Sequence, residues 1–198
     1  MRASEQERPD IKAARVAWQQ EQREWDVSKL IFLDETGLNT KMARLYGRSP
    51  VGERCFASVP HGHWSTFSFI AALRHDRISA PLLLDGPMNG EAFLAYIEQV
   101  LCAELVPGNI VICDNLGVHK VKGVREAIER CGATLRYLPP YSPDLNPIEM
   151  AFSKLKAGLR EAAQRTFEGI QSVTAAVLDS FSQHHCRNFF AHAHYGLI

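Results

Sequence analysis

Residues 29–37, KLIFLDETG, set the reading of the whole chain. Leu30, Ile31, Phe32 and Leu33 are apolar without alternation, the pattern of a strand buried on both faces, and the run stops at two acids and, two residues on, a glycine. The strand is therefore expected to emerge at the surface with Asp34 at its end. Side chains alternate along a strand, so Asp34 shares a face with Leu30 and Phe32 while Glu35 points the other way. Residues 110–115, IVICDN, repeat the pattern and put Asp114 on the face of Ile110 and Ile112. Reactive groups collect at strand ends in open α/β sheets. If the two strands are neighbours, the two aspartates converge.

Upstream, Ile11, Ala14, Trp18 and Trp25 recur at helical spacing with Asp10 available as N-cap, which predicts an amphipathic helix. Downstream, residues 37–54 carry Lys41, Arg44, Arg48 and Arg54 against Glu53 alone, with Gly and Pro interruptions, and read as a basic loop or loose hairpin. CFASV (55–59), TFSFIAALR (66–74) and ISAPLLLDG (78–86) read as three strands of a meander. A helix follows from Asn89, its cap, to Leu105. VKGVREAIERCG (121–132) is another, closed by Gly132, and ATLRYLP (133–139) is a further strand. Ile148, Phe152, Leu155 and Leu159 mark the stripe of a long helix, and one more helical pattern runs over 167–181. The alternation after residue 89 argues for parallel additions to the sheet.

The chain has 198 residues, 46% hydrophobic and 22% charged, an ordinary globular composition. Lys plus Arg (22) balances Asp plus Glu (22), so no global basic field marks a polyanion partner and any such site is a local patch. Cys55, Cys102, Cys113, Cys131 and Cys186 are odd in number, widely spaced and without a CxxC pair, which favours reduced thiols over a disulfide framework or zinc site. The N-terminus is polar and no apolar run approaches the ~20 residues of a membrane span. A soluble, cytoplasmic protein without a membrane partner is expected.

Two carboxylates brought together repel, and one takes up a proton unless a cation stands between them. Oxygen-only ligands select magnesium or manganese over zinc. Two such ions about 3.5–4 Å apart clamp the in-line attack on a phosphodiester. The pattern points to phosphoryl transfer. A third acid is introduced by residues 139–149, PPYSPDLNPIE, where four prolines precede Glu149. Asn146 suits an N-cap, Pro147 the first helical position, and Glu149 the third. Two readings stay open. Either Glu149 closes a capping box on the backbone N–H of Asn146, or the prolines fix the helix start so that its first-turn carboxylate stands rigidly over the sheet edge as a third ligand.

FLDETG (32–37), DNLGVHK (114–120) and LPPYSPDLNPIEMAFSKLK (138–156), in this order, resemble the three signature blocks of DDE transposases of the Tc/mariner superfamily, specifically the bacterial insertion-sequence branch known as IS-six-thirty. Thirty-four residues lie between Asp114 and Glu149, the interval of that group. The resemblance runs from about residue 29 to the closing CRNFFAHAHYG (186–196). It implies an α/β, RNase H-like fold: a mixed five-stranded sheet flanked by helices, with a helical connector at 1–28, a catalytic core at 29–165 and a helical extension at 166–198. It implies Asp34, Asp114 and Glu149 as catalytic acids and as ligands of two Mg²⁺ ions, for which Mn²⁺ can substitute. It further implies cleavage of double-stranded DNA at transposon ends, joining of the freed 3′-OH to target DNA, and a homodimer on DNA. Asn115, His119 and Asn146 fall within the blocks as supporting residues. Only 28 residues precede the first catalytic strand, and none reads as a recognition helix. The expected partner is a separately encoded helix-turn-helix subunit, unless the chain is a remnant. Phe152 stands where many relatives have tryptophan.

Lys41, Arg44, Arg48, Arg54, Lys120, Lys154, Lys156, Arg160 and Arg165 are candidate phosphate contacts, against scattered surface charge for any one of them. His119 has two readings, a role near the scissile phosphate or a local hydrogen bond at a helix start. His61, His63, His184 and His185 have the wrong company for zinc. Trp64 is packing or a stacking platform for a flipped base. A phosphoaspartyl hydrolase is excluded because Thr36 occupies the position where its second aspartate belongs. A nuclease that does not join DNA, and a catalytically silent DNA-binding protein, remain as alternatives.

Overall fold

The computed structural model describes residues 4–44, 46–59 and 62–196. Five strands, β1 (Leu30–Asn39), β2 (Thr66–Leu73), β3 (Ile78–Asp85), β4 (Ile110–Cys113) and β5 (Thr134–Tyr137), form one sheet in the order β3-β2-β1-β4-β5. The first three make an antiparallel meander, and β4 and β5 add parallel to β1. The sheet is flanked by α1 (Pro9–Glu21), α2 (Gly90–Tyr96), α3 (Val124–Arg130), α4 (Ile148–Ala162), α5 (Phe167–Asp179) and α6 (Gln183–His192). This is the mixed five-stranded, RNase H-like architecture expected.

The apolar run of β1 has no alternation because both faces of the sheet are covered. Leu30, Phe32 and Ile112 join a cluster with Phe69, Phe152, Leu155 and Phe190, under α4, α5 and α6. Ile31, Leu33, Val111 and Cys113 belong to a second cluster with Phe93, Ile97 and Ile128, under α2 and α3. Asn89 caps α2 by accepting the Ala92 N–H at 2.9 Å. Gly132 turns the chain out of α3 at φ +73, a left-handed value that favours glycine.

Three expectations are corrected. β1 does not end at Asp34: it continues to Asn39 because β2 goes on pairing with it as far as Asn39↔Thr66, and Asp34 is a mid-strand residue. Residues 55–59 are not a strand. Asn39 pairs directly with Thr66, so residues 55–59 fall in the connection between β1 and β2, and Phe56 and Val59 stay exposed. Asp10 does not cap α1; it sits in the first turn, ion-paired with Arg8.

Trp18 of α1 is buried in the first cluster, with Trp25 beyond the helix set edge-on against it at 4.9 Å. The Trp18 Nε1–H donates to the Tyr195 hydroxyl at 2.8 Å, and that hydroxyl donates to the Leu145 carbonyl at 2.9 Å. One phenol thus ties the first helix and the C-terminal segment to the proline-rich approach to α4. The five cysteines are all free thiols. Among the described residues no helix is long and apolar enough to cross a membrane. Tyr195→Phe strands a buried N–H and a buried carbonyl together, so urea unfolding should show a loss of about 1–3 kcal/mol with the fold retained.

Candidate active site

The last β1–β4 pair is Leu33↔Cys113, so Asp34 and Asp114 are the next residues of two neighbouring parallel strands. Both lie on the first cluster's side, as the alternation predicts. β4 ends there while β1 runs on, which opens a step in the sheet edge. Asp34 is only 6% exposed; its Oδ1 accepts the Glu35 N–H at 2.8 Å and its Oδ2 accepts the Asn146 Nδ2–H at 2.8 Å. Asp114 Oδ1 accepts the Leu116 N–H at 3.0 Å. Glu149, on the first turn of α4, completes a cleft of about 410 Å³ whose walls include Asp34, Asp114, Asn115, Asn146 and the Leu138–Pro143 stretch.

The two readings of Glu149 now separate. The Asn146 N–H donates to the Pro143 carbonyl at 3.1 Å, so it is not held by Glu149, and the Asn146 side chain reaches back to Asp34 instead of capping the helix. No side chain caps this terminus. Pro147 already has helical dihedrals, φ −65 and ψ −21, and Pro143 opens the short 3₁₀ turn Pro143–Leu145 that precedes it. The prolines fix how the chain enters α4, and the first-turn carboxylate is left facing the cleft.

His119 is fully buried. Its Nε2 is 2.6 Å from Glu35 Oε2, and its Nδ1 is 2.6 Å from Asp114 Oδ1 in a contact too bent to count as an N–H hydrogen bond. The ring lies against Phe93 with centroids 4.6 Å apart, and the His119 carbonyl accepts the Tyr137 hydroxyl at 2.9 Å. The ring is thus set between two acids, Glu35 and Asp114. Glu35 was missed. It follows Asp34 but faces the opposite side, and nothing local in the sequence signals a partner 84 residues away.

These contacts shape the electrostatics. Burial first, then the charges of Asp114 and Glu149, push the Asp34 carboxyl up to about 8, against the stabilising Glu35 N–H. Burial raises Glu149 too; Lys156 draws it down and Asp114 pushes it up. Burial alone would lower His119, but the contacts to Asp114 and Glu35 outweigh it and raise the imidazole to about 10. A site that drives one of three carboxylates toward protonation suits a divalent cation, whose charge would reverse the balance. Asn146 Oδ1, buried without a partner beside Asp34, adds another unused hard oxygen acceptor. Asp34, Asp114 and Glu149 offer oxygen alone, which fits Mg²⁺ or Mn²⁺.

A family model described as DDE superfamily endonuclease matches residues 29–173, well over half of the chain, with all three acids inside it. The chain belongs to the DDE superfamily of endonucleases. No curated protein sequence matches it. Among solved structures it is similar to a Mos1 mariner transposase paired-end complex with Mn, at TM-score 0.73 and 13% identity over 96% of this chain and 60% of that one. It is also similar to a Mos1 paired-end complex with left transposon end, at 0.71 and 14% over 91% and 57%. The isolated Mos1 catalytic domain matches at 0.67 and 13% over 96% and 89%. At such identities the likeness shows the shared fold. The chain spans about 57–60% of the Mos1 chains in those paired-end complexes.

The basic candidates of this DDE endonuclease divide. Lys41, Lys156 and Arg160 line a second groove with Trp64. Arg48 and Arg54 are exposed in the loop after β1. Lys120 is exposed, its Nζ 5.5 Å from the Tyr137 ring. Three others are engaged within the protein. Arg44 pairs with Glu161 at 2.6 Å. Lys154 donates to the Ser180 carbonyl at 3.3 Å and lies over the Phe181 ring at 4.5 Å, joining α4 to the helices after it. Arg165 donates to the Thr40 and Met42 carbonyls, both at 2.9 Å. His61 lies outside the described residues; His63 is exposed, and His184 and His185 bond locally on α6, so none of the three is in a metal cluster among the described residues.

Asp34 gives a pH signature. Its folded value of about 8 stands above the ~3.9 of an unfolded aspartate, so its contribution to stability is full below the lower value and lost as pH rises through the upper one. In EDTA, unfolding free energy should fall across that window. Asp34→Asn should remove this part of the slope and gain on the wild type as pH rises; denaturant melts at a series of pH values measure the difference.

Proposed function

We propose that the chain is the catalytic part of a cut-and-paste DNA transposase of the IS-six-thirty branch, performing metal-dependent cleavage at transposon ends and strand transfer into target DNA. One observation carries this reading: Asp34, Asp114 and Glu149, from three elements far apart in sequence, line one cleft at the step between β1 and β4. Asp34, Asp114 and Glu149 would hold two Mg²⁺ or Mn²⁺ ions. Bound there, the ions supply activation of the attacking oxygen and charge relief at the leaving oxygen.

The protein's own groups prepare the site. Asp34, held by the Glu35 N–H and by Asn146, is the acid whose charge the other two oppose, and it would hold a divalent cation together with them. His119, fixed by Glu35 and stacked on Phe93, turns Asp114 toward the cleft and balances negative charge behind it. The rigid entry to α4 delivers Glu149 from the opposite wall. Leu116 and Tyr141, about half exposed at this cleft, flank the path a DNA strand would take.

Double-stranded DNA is the substrate in this reading, in keeping with the Mos1 paired-end complex with left transposon end. The catalytic core is residues 29–165, with 1–28 as connector and 166–198 as extension. The protein would act as a homodimer at the bacterial nucleoid, with end recognition supplied by a separately encoded helix-turn-helix subunit. Incubation with Mg²⁺ and a pre-cleaved transposon end separates the transposase from a plain nuclease, since strand-transfer product forms only with the former.

Asp34→Asn, Asp114→Asn and Glu149→Gln should each abolish Mg²⁺-dependent cleavage while circular dichroism shows the fold retained. Glu35→Gln and His119→Asn, one shell further out, should cost roughly 10–100-fold in metal affinity or rate. If Glu149→Gln costs only ~1 kcal/mol of stability and leaves cleavage intact, its carboxylate is a cap and the reading fails.

A further inference from the structure

Beyond the acid cleft, Lys41, Trp64, Lys156 and Arg160 line a groove of about 550 Å³ together with Gly37 and Asn39 of β1. The same two elements carry the acids and the groove. Asp34 to Asn39 is five residues of strand, ~17 Å at ~3.4 Å per residue, and Glu149 to Arg160 is eleven residues of helix, ~17 Å at ~1.5 Å per residue. Strand and helix therefore run the same distance from cleft to groove. Over that length β1 pairs with β2 alone, since its pairing with β4 ends at Leu33.

Trp64 is 55% exposed, and Lys41 Nζ stands 4.4 Å over its ring. A large indole left half in water contributes little to packing. Unlike Arg44, whose charge Glu161 neutralises, Lys41, Lys156 and Arg160 are in no ion pair among the described residues. Cations alone would serve a duplex backbone. An exposed aromatic ring set among cations is the arrangement that binds single strands, with phosphates on the charges and a base on the ring.

We propose that this groove holds a single strand of DNA leading away from the acid cleft, with one base unstacked from its neighbours and laid on Trp64. The proposal rests on DNA being the substrate of the cleft. Asn39 and Arg160 put the far end of the groove ~17 Å along strand and helix from the acids.

The test measures binding of a labelled oligothymidylate, and of a mixed-sequence duplex of equal length, to the full chain in Mg²⁺. Trp64→Ala should weaken single-strand binding by roughly 5- to 150-fold, the worth of one stacked base, and duplex binding far less. Trp64→Phe should keep single-strand affinity but lose the quenching of indole fluorescence expected on binding to wild type. Equal losses on both DNAs, or none on the single strand, would overturn the proposal and leave the acid cleft unaffected. Cleavage persisting in Asp34→Asn would count against the catalytic reading and leave the groove standing.

Discussion

The carboxylate of Asp34 is buried where β4 stops and β1 goes on, and the chemistry of the molecule is organised around that position. Parallel pairing as far as Leu33↔Cys113 brings Asp114 alongside, and the missing continuation of β4 opens the space into which α4 presents Glu149. A lone buried carboxylate is costly even with partners. Here the Glu35 N–H and Asn146 supply two hydrogen bonds, yet burial and two neighbouring acids still push Asp34 up to about 8. The imbalance is local and directional. It asks for divalent positive charge on the cleft side, because on the other side His119 already stands between Glu35 and Asp114.

Two donor sets compete for a metal ion. Asp34, Glu35 and His119 have donor atoms all within 4.8 Å of one another. A ligating histidine, however, needs a ring nitrogen with a free lone pair, and both nitrogens of His119 face carboxylate oxygens at 2.6 Å. Asp34, Asp114 and Glu149 do not form so tight a group; they line one cleft and offer carboxylate oxygens alone. The wider set is the metal-binding one in this account, and the tight set is its support.

Much of this was legible in the sequence, for identifiable reasons. The unbroken apolar run Leu30–Leu33 encodes burial on both faces, and its echo at Ile110–Cys113 encodes a second such strand, so alternation gives Asp34 and Asp114 their faces and the pairing of β1 with β4 brings them together. What the sequence hides is long-range. β1 continues past Asp34 because of β2, which begins 32 residues further on, and no local signal announces it. Asn146 has every local mark of a cap, but a buried carboxylate 112 positions away takes its side chain. Glu35 and His119 find each other through tertiary packing only. Charge was the least readable feature: Arg44, Lys154 and Arg165 look like their neighbours in the sequence, and the fold engages them internally while leaving Lys41, Lys156 and Arg160 in the groove.

A divalent cation held jointly by Asp34, Asp114 and Glu149 at the β1–β4 step is the central proposal. Anomalous diffraction from Mn²⁺-soaked crystals tests it most directly. The expected result is manganese in the cleft, bound by carboxylate oxygens of Asp34, Asp114 and Glu149, with His119 unligated. Manganese bound by Glu35 and the His119 ring, or no manganese at Asp34 at saturating concentration, would contradict it.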